Sequence, residues 1–395
     1  MSERLSTFLM DEVNSSPVPD LSKEEVARYS RQTIMSEIGP VGQRKLKASS
    51  AIVVGAGGLG IPAMVHLANA GVGRIGLVDS DTIELPNLHR QFLYSAEDLG
   101  MSKVDVARER LARLNPNVEV VPCRERLNSS NALKVLSGYD VVIDATDNFP
   151  SRYLINDACV MLGKPDVYAS VLRLEGQASV FFPPNGPCYR CLYPIPPPPS
   201  AVQSCSEAGV LGVVTGIMGG LQAAQAINIM LGKERTLAGR LLVFDGQDST
   251  FVELRIKRNK DCQVCGINPR DVKLIDYEMF CGVMTLPQLE SGEVDAPSLK
   301  KSLDSGSDVV LIDVREPYEF DFCHLQDARL VPLGQLVDRI GELDKDRDII
   351  VYCHTGVRSA RAVEFLKMNG FKRVRNLKGG IRSWSELVDS TIPRY

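Results

Sequence analysis

The 395-residue sequence predicts an α/β protein with two domains, a larger Rossmann-like domain with a mostly parallel sheet and a smaller α/β domain. Short apolar runs alternate with helical patterns through the N-terminal part of the chain. The alternation starts again after a mixed stretch near residues 266–295, which we interpret as the domain boundary. The predicted parts are a flexible N-terminus at 1–20, a first domain at 21–266, a linker at 267–294 and a second domain at 295–395.

The first domain opens with a capping box at Ser22 to Glu25, which predicts a helix through Ile34. The strands and helices that follow alternate, and this alternation indicates a parallel sheet with helices on both faces. The predicted elements are a strand at 51–54, a helix to about residue 70, a strand at 74–79, a helix at 102–114, a strand at 118–123, a helix at 132–136 and a strand ending at Asp147.

The second domain repeats this rhythm on a smaller scale. Its predicted elements are a helix at 296–306, strands at 308–314 and 348–353, a helix at 358–370 and a short strand near 373–377.

Composition excludes some classes of partner. The chain carries 45 basic and 49 acidic residues, a net charge of -4, so it has no broad basic surface for nucleic acid or an anionic membrane. Residues 1–20 are polar and lack the apolar core of a signal peptide, so we expect a cytoplasmic protein. The uncharged stretch 208–232 is interpreted as a buried helix and not as a bilayer span, because polar amides recur along one edge.

A glycine-rich turn follows the first predicted strand. Gly55, Gly57 and Gly60 fit the pattern G-x-G-x-x-G, and Gly58 adds a further glycine. Such a turn lets the backbone approach a phosphate at the N-terminus of the next helix, where free N–H groups attract negative charge. Asp79 ends the following strand, where an acidic residue bonds ribose hydroxyls. The turn therefore predicts a nucleotide site, which either ATP or NAD would satisfy.

Charged and amide side chains after Asp79 favour ATP. Cations of this type clamp a triphosphate. The predicted set is Asp81, Asn87, Arg90, Gln91 and Lys103. Asp147 and Asn148 follow a later parallel strand, at the sheet edge where ligands bind. Asp147 is a candidate ligand for Mg²⁺, which takes one or two carboxylates together with substrate phosphates.

Two C-x-x-C pairs predict a metal site. Cys188 with Cys191 and Cys262 with Cys265 supply four soft ligands suited to a tetrahedral structural Zn²⁺. The zinc would tie the proline-rich segment after Cys191 to the end of the domain. A redox dithiol or unrelated buried thiols are the alternatives.

Two further cysteines are candidates for catalysis. Cys205 precedes the long apolar helix, where amide donors could activate it, although a lone cysteine is often only buried. Cys353 ends an apolar strand, and a short loop leads from it into a helix that begins near Arg358. Loop amides, the helix N-terminus and Arg358 would stabilise an anion on its sulfur, either thiolate or persulfide.

A family resemblance is carried by several stretches of residues 20–266: "RYSRQ", "VGAGGLG", "LVDSDTIELPNLHRQ", "MSKVDVA", "DATDNFPSRYLIND" and "EGQASVF". They closely resemble adenylyltransferases of the MoeB and ThiF type, which are similar in fold to ubiquitin-activating enzymes. The resemblance implies ATP-dependent adenylation of the C-terminal glycine of a ubiquitin-like sulfur carrier ending in Gly-Gly. It also implies that Gly58 and Asp79 contact ATP, that Arg90 and Lys103 contact its phosphates, and that Asp147 contacts the metal.

The same resemblance implies a homodimer in which Arg31 reaches into the ATP site of the neighbouring subunit. The single copy of the glycine turn agrees with this, because ubiquitin-activating enzymes combine two such halves in one assembly. Members of the family carry a reactive cysteine in the motif around Cys205, either as an acyl thioester or to resolve a disulfide.

The second domain resembles the rhodanese-type sulfurtransferases. "VYCHTGVRSA" is similar to their active loop, and "LIDVREPYEF", with Asp313, Arg315 and Glu319, and "LKGGIRSW" match other landmarks over residues 295–395. Rhodanese domains usually have a small residue, often glycine, where Asp327 stands. The combination is typical of molybdopterin-synthase adenylyltransferase/sulfurtransferases.

These observations suggest activation in two steps. The carrier's carboxylate becomes an acyl-adenylate, and a Cys353 persulfide then displaces AMP. Reduction, with Cys205 a candidate, would release a thiocarboxylate for molybdenum cofactor synthesis, tRNA thiolation, or thiamine and cysteine pathways. A cysteine desulfurase is a suitable persulfide donor. Alternatives are activation of a ubiquitin-like protein for conjugation through a Cys205 thioester, a nicotinamide-dependent oxidoreductase, and a non-catalytic scaffold that binds a carrier.

Overall fold

The computed structural model describes residues 19–182, 186–197, 208–281 and 292–393. The chain divides into two compact units, Met1–Met284 and Thr285–Tyr395. Each unit has its own sheet and its own apolar core.

The first unit is built on an eight-stranded sheet. Its strands are β1 (Ser50–Val54), β2 (Arg74–Val78), β3 (Glu119–Cys123), β4 (Val141–Asp144), β5 (Asp166–Leu172), β6 (Glu175–Phe181), β7 (Arg240–Asp245) and β8 (Thr250–Arg255). The order across the sheet is β3-β2-β1-β4-β5-β6-β7-β8, parallel from β3 to β5 and antiparallel from there to β8. The predicted mostly parallel α/β architecture is confirmed.

Both faces of this sheet are covered, since Val53 of β1 packs in one apolar core and Ile52 and Val54 pack in another. Right-handed crossovers that run in opposite directions from β1 place their helices on opposite faces. The helices of the first unit are α1 (Lys23–Arg28), α2 (Ser30–Thr33), α3 (Gly39–Ala48), α4 (Gly60–Ala70), α5 (Lys103–Leu114), α6 (Ala132–Ser137), α7 (Phe149–Leu162), α8 (Tyr189–Leu192), α9 (Gly212–Met230) and α10 (Tyr277–Phe280).

The predicted boundaries of the first helix and of the strand before Asp147 differ clearly from the structure. The capping box forms, with Glu25 N–H donating to Ser22 Oγ at 3.1 Å, but the helix breaks at Tyr29, whose ring is buried. The predicted strand ending at Asp147 stops at Asp144. There the Asp144 carboxylate accepts hydrogen bonds from the amide and hydroxyl of Thr146, which turn the chain out of the sheet.

The long apolar helix α9 is held against the sheet by a buried amide. Gln222 Nε2 donates to the carbonyl oxygens of Asp144 at 2.6 Å and Val167 at 2.8 Å. The opposite face leaves Val213 and Ile217 exposed, so the expected burial holds for one face only. Within the described ranges, α9 is the one helix whose length and apolar composition would allow it to cross a membrane.

Part of the predicted linker packs on the first unit. Tyr277 on α10 is buried, and its hydroxyl donates to the Asp157 carboxylate at 2.7 Å.

The second unit is a five-stranded parallel sheet with helices around it. Its strands are β9 (Glu293–Val294), β10 (Val309–Asp313), β11 (Arg329–Leu330), β12 (Asp348–Tyr352) and β13 (Val374–Leu377), in the order β11-β10-β12-β13-β9. Its helices are α11 (Ala296–Asp304), α12 (Pro317–Phe322), α13 (Leu336–Arg339), α14 (Val357–Met368) and α15 (Gly380–Leu387). The predicted smaller α/β domain is confirmed.

Candidate functional site

A cavity of about 510 Å³ opens at the carboxyl ends of β1, β2 and β4. β2 lies on one side of β1 and β4 lies on the other, so the strand order reverses direction at β1. Open α/β sheets bind ligands at the carboxyl ends of the strands where such a reversal occurs. The predicted nucleotide-binding residues in its lining are Gly55, Gly57, Gly58, Asp79, Asp81, Asn87, Arg90, Gln91, Lys103, Asp147 and Asn148.

The glycine turn is built by close backbone contacts. Gly55 has φ +103°, and a Cβ there would lie 2.6 Å from the carbonyl oxygen of Ala145. Gly60 lies outside the cavity lining, and a Cβ there would lie 1.8 Å from the carbonyl oxygen of Gly55. Gly55 and Gly60 therefore shape the turn, whereas Gly57 and Gly58 present backbone to the cavity.

Asp79 joins the turn to the loop after β2. Its carboxylate accepts from the amides of Ala56 and Asp81, both at 2.8 Å. Burial raises the pKa of Asp79, although Lys103 and these two amides lower it. A carboxylate has about four acceptor positions, so capacity remains for a ribose hydroxyl.

Two cations are held at the mouth and wall of the cavity. Lys103 is buried, and its ammonium forms an ion pair with Asp81 at 2.9 Å. Arg90 donates to Asn87 Oδ1 at 2.8 Å and lies 2.8 Å from His89 Nε2. Burial and the Arg90 charge lower the pKa of His89. These contacts hold both cations in the cavity lining.

Asp147 and Asn148 lie beyond the end of β4. Asn148 caps α7, because its Oδ1 accepts from the Ser151 amide at 3.0 Å. Asp147 is in the lining next to Asn148, whose amide donates to its carboxylate at 3.4 Å. Because Asn148 caps α7, the adjacent backbone, which carries Asp147, is held in position.

Sequence reasoning missed several lining residues: Ser80, Glu125, Arg126, Leu127, Thr146, Ser151, Arg152 and Thr215. Arg152 is buried, donates to the Thr146 carbonyl at 3.3 Å and lies over the rings of Phe149 and Tyr168. Its place one helical turn after the α7 cap is a signal that could have identified it. Thr215 comes from α9, far along the chain, and no local pattern marks it.

Besides Gly60, two predicted residues are not brought to this cavity by the described chain. Arg31 lies exposed on α2 and is not part of the lining. Cys205 falls outside the described residues.

The four cysteines of the predicted metal site come together. Sγ–Sγ distances are 3.8 Å for Cys188 with Cys191, 3.6 Å for Cys188 with Cys262 and 3.4 Å for Cys191 with Cys265. All four sulfurs lie within 4.8 Å of one another, and none is in a disulfide. Zinc–sulfur bonds of about 2.3 Å in a tetrahedron place the sulfurs about 3.8 Å apart, so the cluster fits zinc. The pKa of Cys191 is lowered to about 6, mainly by its hydrogen bond with the Cys188 thiol.

In the second unit, Cys353 lies buried at the start of a short loop between β12 and α14. Gly356 N–H donates to its sulfur at 3.2 Å. Gly356 has φ +90°, which brings this amide inward. The segment after β13 supports the loop, because the amides of Ile381 and Arg382 donate to the carbonyls of Cys353 and His354. The sulfur therefore lies at the N-terminus of α14, which favours negative charge.

Arg358 is held by a carboxylate. Its two terminal nitrogens donate to the two oxygens of Glu319, each at 2.7 Å, and both side chains are buried. Burial raises the pKa of Glu319, but its hydrogen bonds, led by that from Arg358, outweigh burial and lower it. Arg315 donates to the Asp313 carboxylate through Nε and one terminal nitrogen, and it donates to the Cys323 carbonyl at 2.7 Å.

Asp327 has φ +61°, the left-handed conformation that favours glycine. Asp and Asn tolerate this conformation better than other residues. The aspartate at this position therefore adopts a backbone conformation that glycine also adopts readily.

The model for the ThiF family matches residues 29–264. The chain belongs to the ThiF family. A rhodanese-like domain matches residues 295–387, in the part of this ThiF-family chain that carries Cys353.

Two relatives of this ThiF-family chain are each named adenylyltransferase and sulfurtransferase MOCS3. The protein from Culex quinquefasciatus is 44% identical over 399 residues, which cover 96% of this chain and 91% of the relative. The protein from Drosophila yakuba is 46% identical over 398 residues, which cover 95% and 86%. The predicted pair of enzymatic activities, adenylyltransferase and sulfurtransferase, is confirmed.

Solved structures support the predicted Rossmann-like fold. Escherichia coli MccB crystallised with MccA-N7isoASN is 25% identical, with a TM-score of 0.55, and the match covers 63% of this chain and 76% of that one. MccB crystallised with ATP gives a TM-score of 0.53 at 25% identity, with 61% and 75% covered.

Proposed function

We propose that the first unit uses ATP to adenylate the C-terminal glycine of a ubiquitin-like sulfur carrier, and that Cys353 of the second unit supplies sulfur to it. The product is a carrier with a C-terminal thiocarboxylate. One observation carries the proposal, namely that the same chain has two features. One is a cavity lined by a glycine turn and by two cations that other side chains hold in place. The other is a buried sulfur at a helix N-terminus. The domain limits 21–266 and 295–395 belong to the proposal.

In the adenylation step, an oxygen of the carrier's carboxylate attacks the α-phosphorus of ATP and pyrophosphate leaves. Gly57 and Gly58 give the phosphates access to the backbone, and Asp79 accepts from the ribose. Arg90 and Lys103 neutralise charge that moves onto the leaving pyrophosphate. Their existing bonds to Asn87 and Asp81 keep the two cations in place before ATP binds.

Asp147 fits a magnesium ligand, since its carboxylate lines the cavity beside the phosphate-binding turn. A bound Mg²⁺ would supply further positive charge to the phosphates. Asn148 and Gln91 complete the polar wall.

In the sulfur step, the outer sulfur of a Cys353 persulfide attacks the acyl carbon and AMP leaves. The acyl group is then joined to Cys353 through a disulfide. A second thiolate attacks the Cys353 sulfur, the electron pair of the S–S bond passes to the outer sulfur, and the thiocarboxylate leaves. Cys205 is the proposed thiol, and the disulfide that remains requires an external thiol reductant. Arg358 acts through Glu319 by holding the start of α14 in position.

The zinc would be held by Cys188, Cys191, Cys262 and Cys265. It would have a structural role, because all four ligand positions are filled by protein sulfur.

Assembly and partners complete the proposal. A homodimer would allow the exposed Arg31 of one subunit to complete the ATP site of the other. The persulfide would come from a donor such as a cysteine desulfurase. We further propose a cytoplasmic enzyme whose product feeds molybdenum cofactor synthesis or tRNA thiolation.

The test uses a purified carrier ending in Gly-Gly, with ATP, Mg²⁺ and thiosulfate as the sulfur source. We expect mass spectrometry to find one oxygen of the carrier replaced by sulfur, and we expect this product to disappear without ATP. Cys353→Ala should keep carrier-dependent ATP–pyrophosphate exchange and lose the product. Asp147→Ala should lose both.

The same assay separates the alternatives. Sulfur loading that is undiminished in Cys353→Ala would contradict the proposed role of the second unit. Tight binding of NAD with no pyrophosphate exchange would favour an oxidoreductase.

A further inference from the structure

The sulfur of Cys353 has a second hydrogen-bonding neighbour that the proposed mechanism does not use. Ser359 lies in the first turns of α14, and its hydroxyl oxygen is 3.4 Å from the Cys353 sulfur. The same oxygen is 2.7 Å from Asn376 Oδ1 on β13. All three side chains are buried, with exposed fractions of 1%, 0% and 4% for Cys353, Ser359 and Asn376. Water therefore has little access to the hydroxyl.

The orientation of the Asn376 amide is fixed by its other neighbours. Its nitrogen lies 3.1 Å from both the Glu293 carboxylate and the Gly356 carbonyl oxygen. A carbonyl oxygen only accepts hydrogen bonds, so the amide nitrogen must face it, and the amide oxygen must then face Ser359. The Ser359 hydroxyl consequently meets two acceptors, Asn376 Oδ1 and the Cys353 sulfur, and it has one hydrogen to donate.

The charge on sulfur decides between these acceptors. A neutral sulfur, as in a thiol or the inner atom of a persulfide, is a weak acceptor, so the hydroxyl donates to Asn376. A thiolate is charged, and hydrogen bonds to charged groups are about twice as strong as neutral ones. The hydroxyl hydrogen can move to the sulfur by rotation about one bond.

We propose that Ser359 is a catalytic residue for discharge of the outer persulfide sulfur to an external acceptor, donating a hydrogen bond to the Cys353 sulfur as that sulfur leaves. The inference rests on the proposed function, in which Cys353 carries the persulfide. In discharge to cyanide, the cyanide carbon bonds the outer sulfur, the S–S bond breaks, and its electron pair passes to the Cys353 sulfur. Thiocyanate and a Cys353 thiolate result, and no proton is transferred. Ser359 and the Gly356 amide then stabilise the new charge together.

The hydrogen bond from Ser359 affects the loading and the discharge of Cys353 differently. During loading from thiosulfate, the Cys353 thiolate is the attacking group, and its charge moves outward as sulfite leaves. A hydrogen bond to the thiolate stabilises the starting state of loading but the end state of discharge. Loss of the hydroxyl should therefore slow discharge and should not slow loading once the cysteine is fully ionised.

The experiment compares Ser359→Thr with Ser359→Val in the full chain, because these side chains are similar in size and differ in the hydroxyl. Each protein is loaded with thiosulfate on the high-pH plateau, freed of excess donor and mixed with cyanide, and both single-turnover rates are measured. We expect Ser359→Val to discharge about tenfold more slowly than Ser359→Thr, from the usual strength of a hydrogen bond to a charged group. Loading by Ser359→Val should be as fast as loading by Ser359→Thr or faster, since the attacking thiolate loses ground-state stabilisation.

Ser385→Ala is the matched control. Ser385 is equally buried in the same unit, and its hydroxyl donates to the Ile392 carbonyl at 2.8 Å without a bond to Cys353. This variant should keep both rates. Equal discharge rates for the threonine and valine variants, or an equal slowing of loading and discharge in the valine variant, would overturn this inference and leave the proposed function intact. Absence of sulfur on Cys353 in the unaltered protein would overturn the proposed function with it.

Discussion

Removal of the Glu319 carboxylate should destabilise the second unit strongly. Glu319→Ala leaves the Arg358 guanidinium, which is 5% exposed, without the carboxylate that accepts its two 2.7 Å hydrogen bonds. Breaking a buried ion pair by removing one partner costs about 3 to 5 kcal/mol. Because a domain is stable by about 5 to 15 kcal/mol, this loss is a large fraction of the total.

The chain offers a probe for this unit alone. It has a single tryptophan, Trp384, which is buried in the second unit. Urea unfolding followed by its fluorescence therefore reports on that unit within the full protein. With a urea dependence of about 1 to 3 kcal/mol per molar, a loss of 3 kcal/mol lowers the midpoint by about 1 to 3 M.

Two controls test the reasoning. Asp308→Ala breaks an exposed ion pair with Arg347 and should cost less than about 1 kcal/mol. Replacement of both Glu319 and Arg358 by leucine should cost much less than Glu319→Ala, because no charge is left buried. A midpoint for Glu319→Ala that matches Asp308→Ala would refute the argument.

The pH dependence follows from the same pair. The folded-state pKa of Glu319 is lowered below its ordinary 4.5, so the unfolded state binds the proton more readily. The stabilisation is present above the ordinary pKa and is lost as pH falls through the lowered one. The difference in stability between the unaltered protein and Glu319→Ala should therefore shrink on acidification, measured by the same fluorescence.

Three further predictions concern other sites. Gly60→Ala should abolish ATP binding in calorimetry, because the new methyl would lie 1.8 Å from the Gly55 carbonyl oxygen. Gly220→Ala is the control and should bind ATP normally, because its new methyl meets no described atom within 4 Å. Cys262→Ser should lose zinc, measured by metal analysis of the purified protein, and retention of one zinc per chain would contradict the four-cysteine site. Asp327→Ala should lower stability by up to about 1 kcal/mol while Asp327→Gly does not, since alanine tolerates a positive φ poorly.

Local patterns predicted the parts of the site that depend on local chemistry. The glycine turn is recognisable because Gly55 and Gly60 must be glycine for the backbone to approach itself so closely. The paired cysteines are recognisable because metal ligation requires short spacing. Cys353 is recognisable because its strand, loop and helix are adjacent in sequence.

Contacts between distant segments were not predictable in this way. Thr215 reaches the cavity because Gln222 fixes α9 against β4 and β5, and neither side chain belongs to a local motif. Arg358 was expected to face sulfur, but Glu319, on another helix, accepts its hydrogen bonds. Ser359 became visible only when β13 placed Asn376 beside it.

The spacing of the cysteine pairs has a consequence for synthesis of the protein. Cys188 and Cys262 meet in space but are 74 residues apart in the chain. At ribosomal rates of about 5 to 20 residues per second, the first pair waits roughly 4 to 15 seconds for the second to be made. During that interval the early thiols are exposed to oxidants and to competing metals. If the cluster holds zinc as proposed, the metal site can be completed only after Cys265 has been made. A cell short of zinc should then accumulate this protein with the two cysteine pairs not joined by a metal.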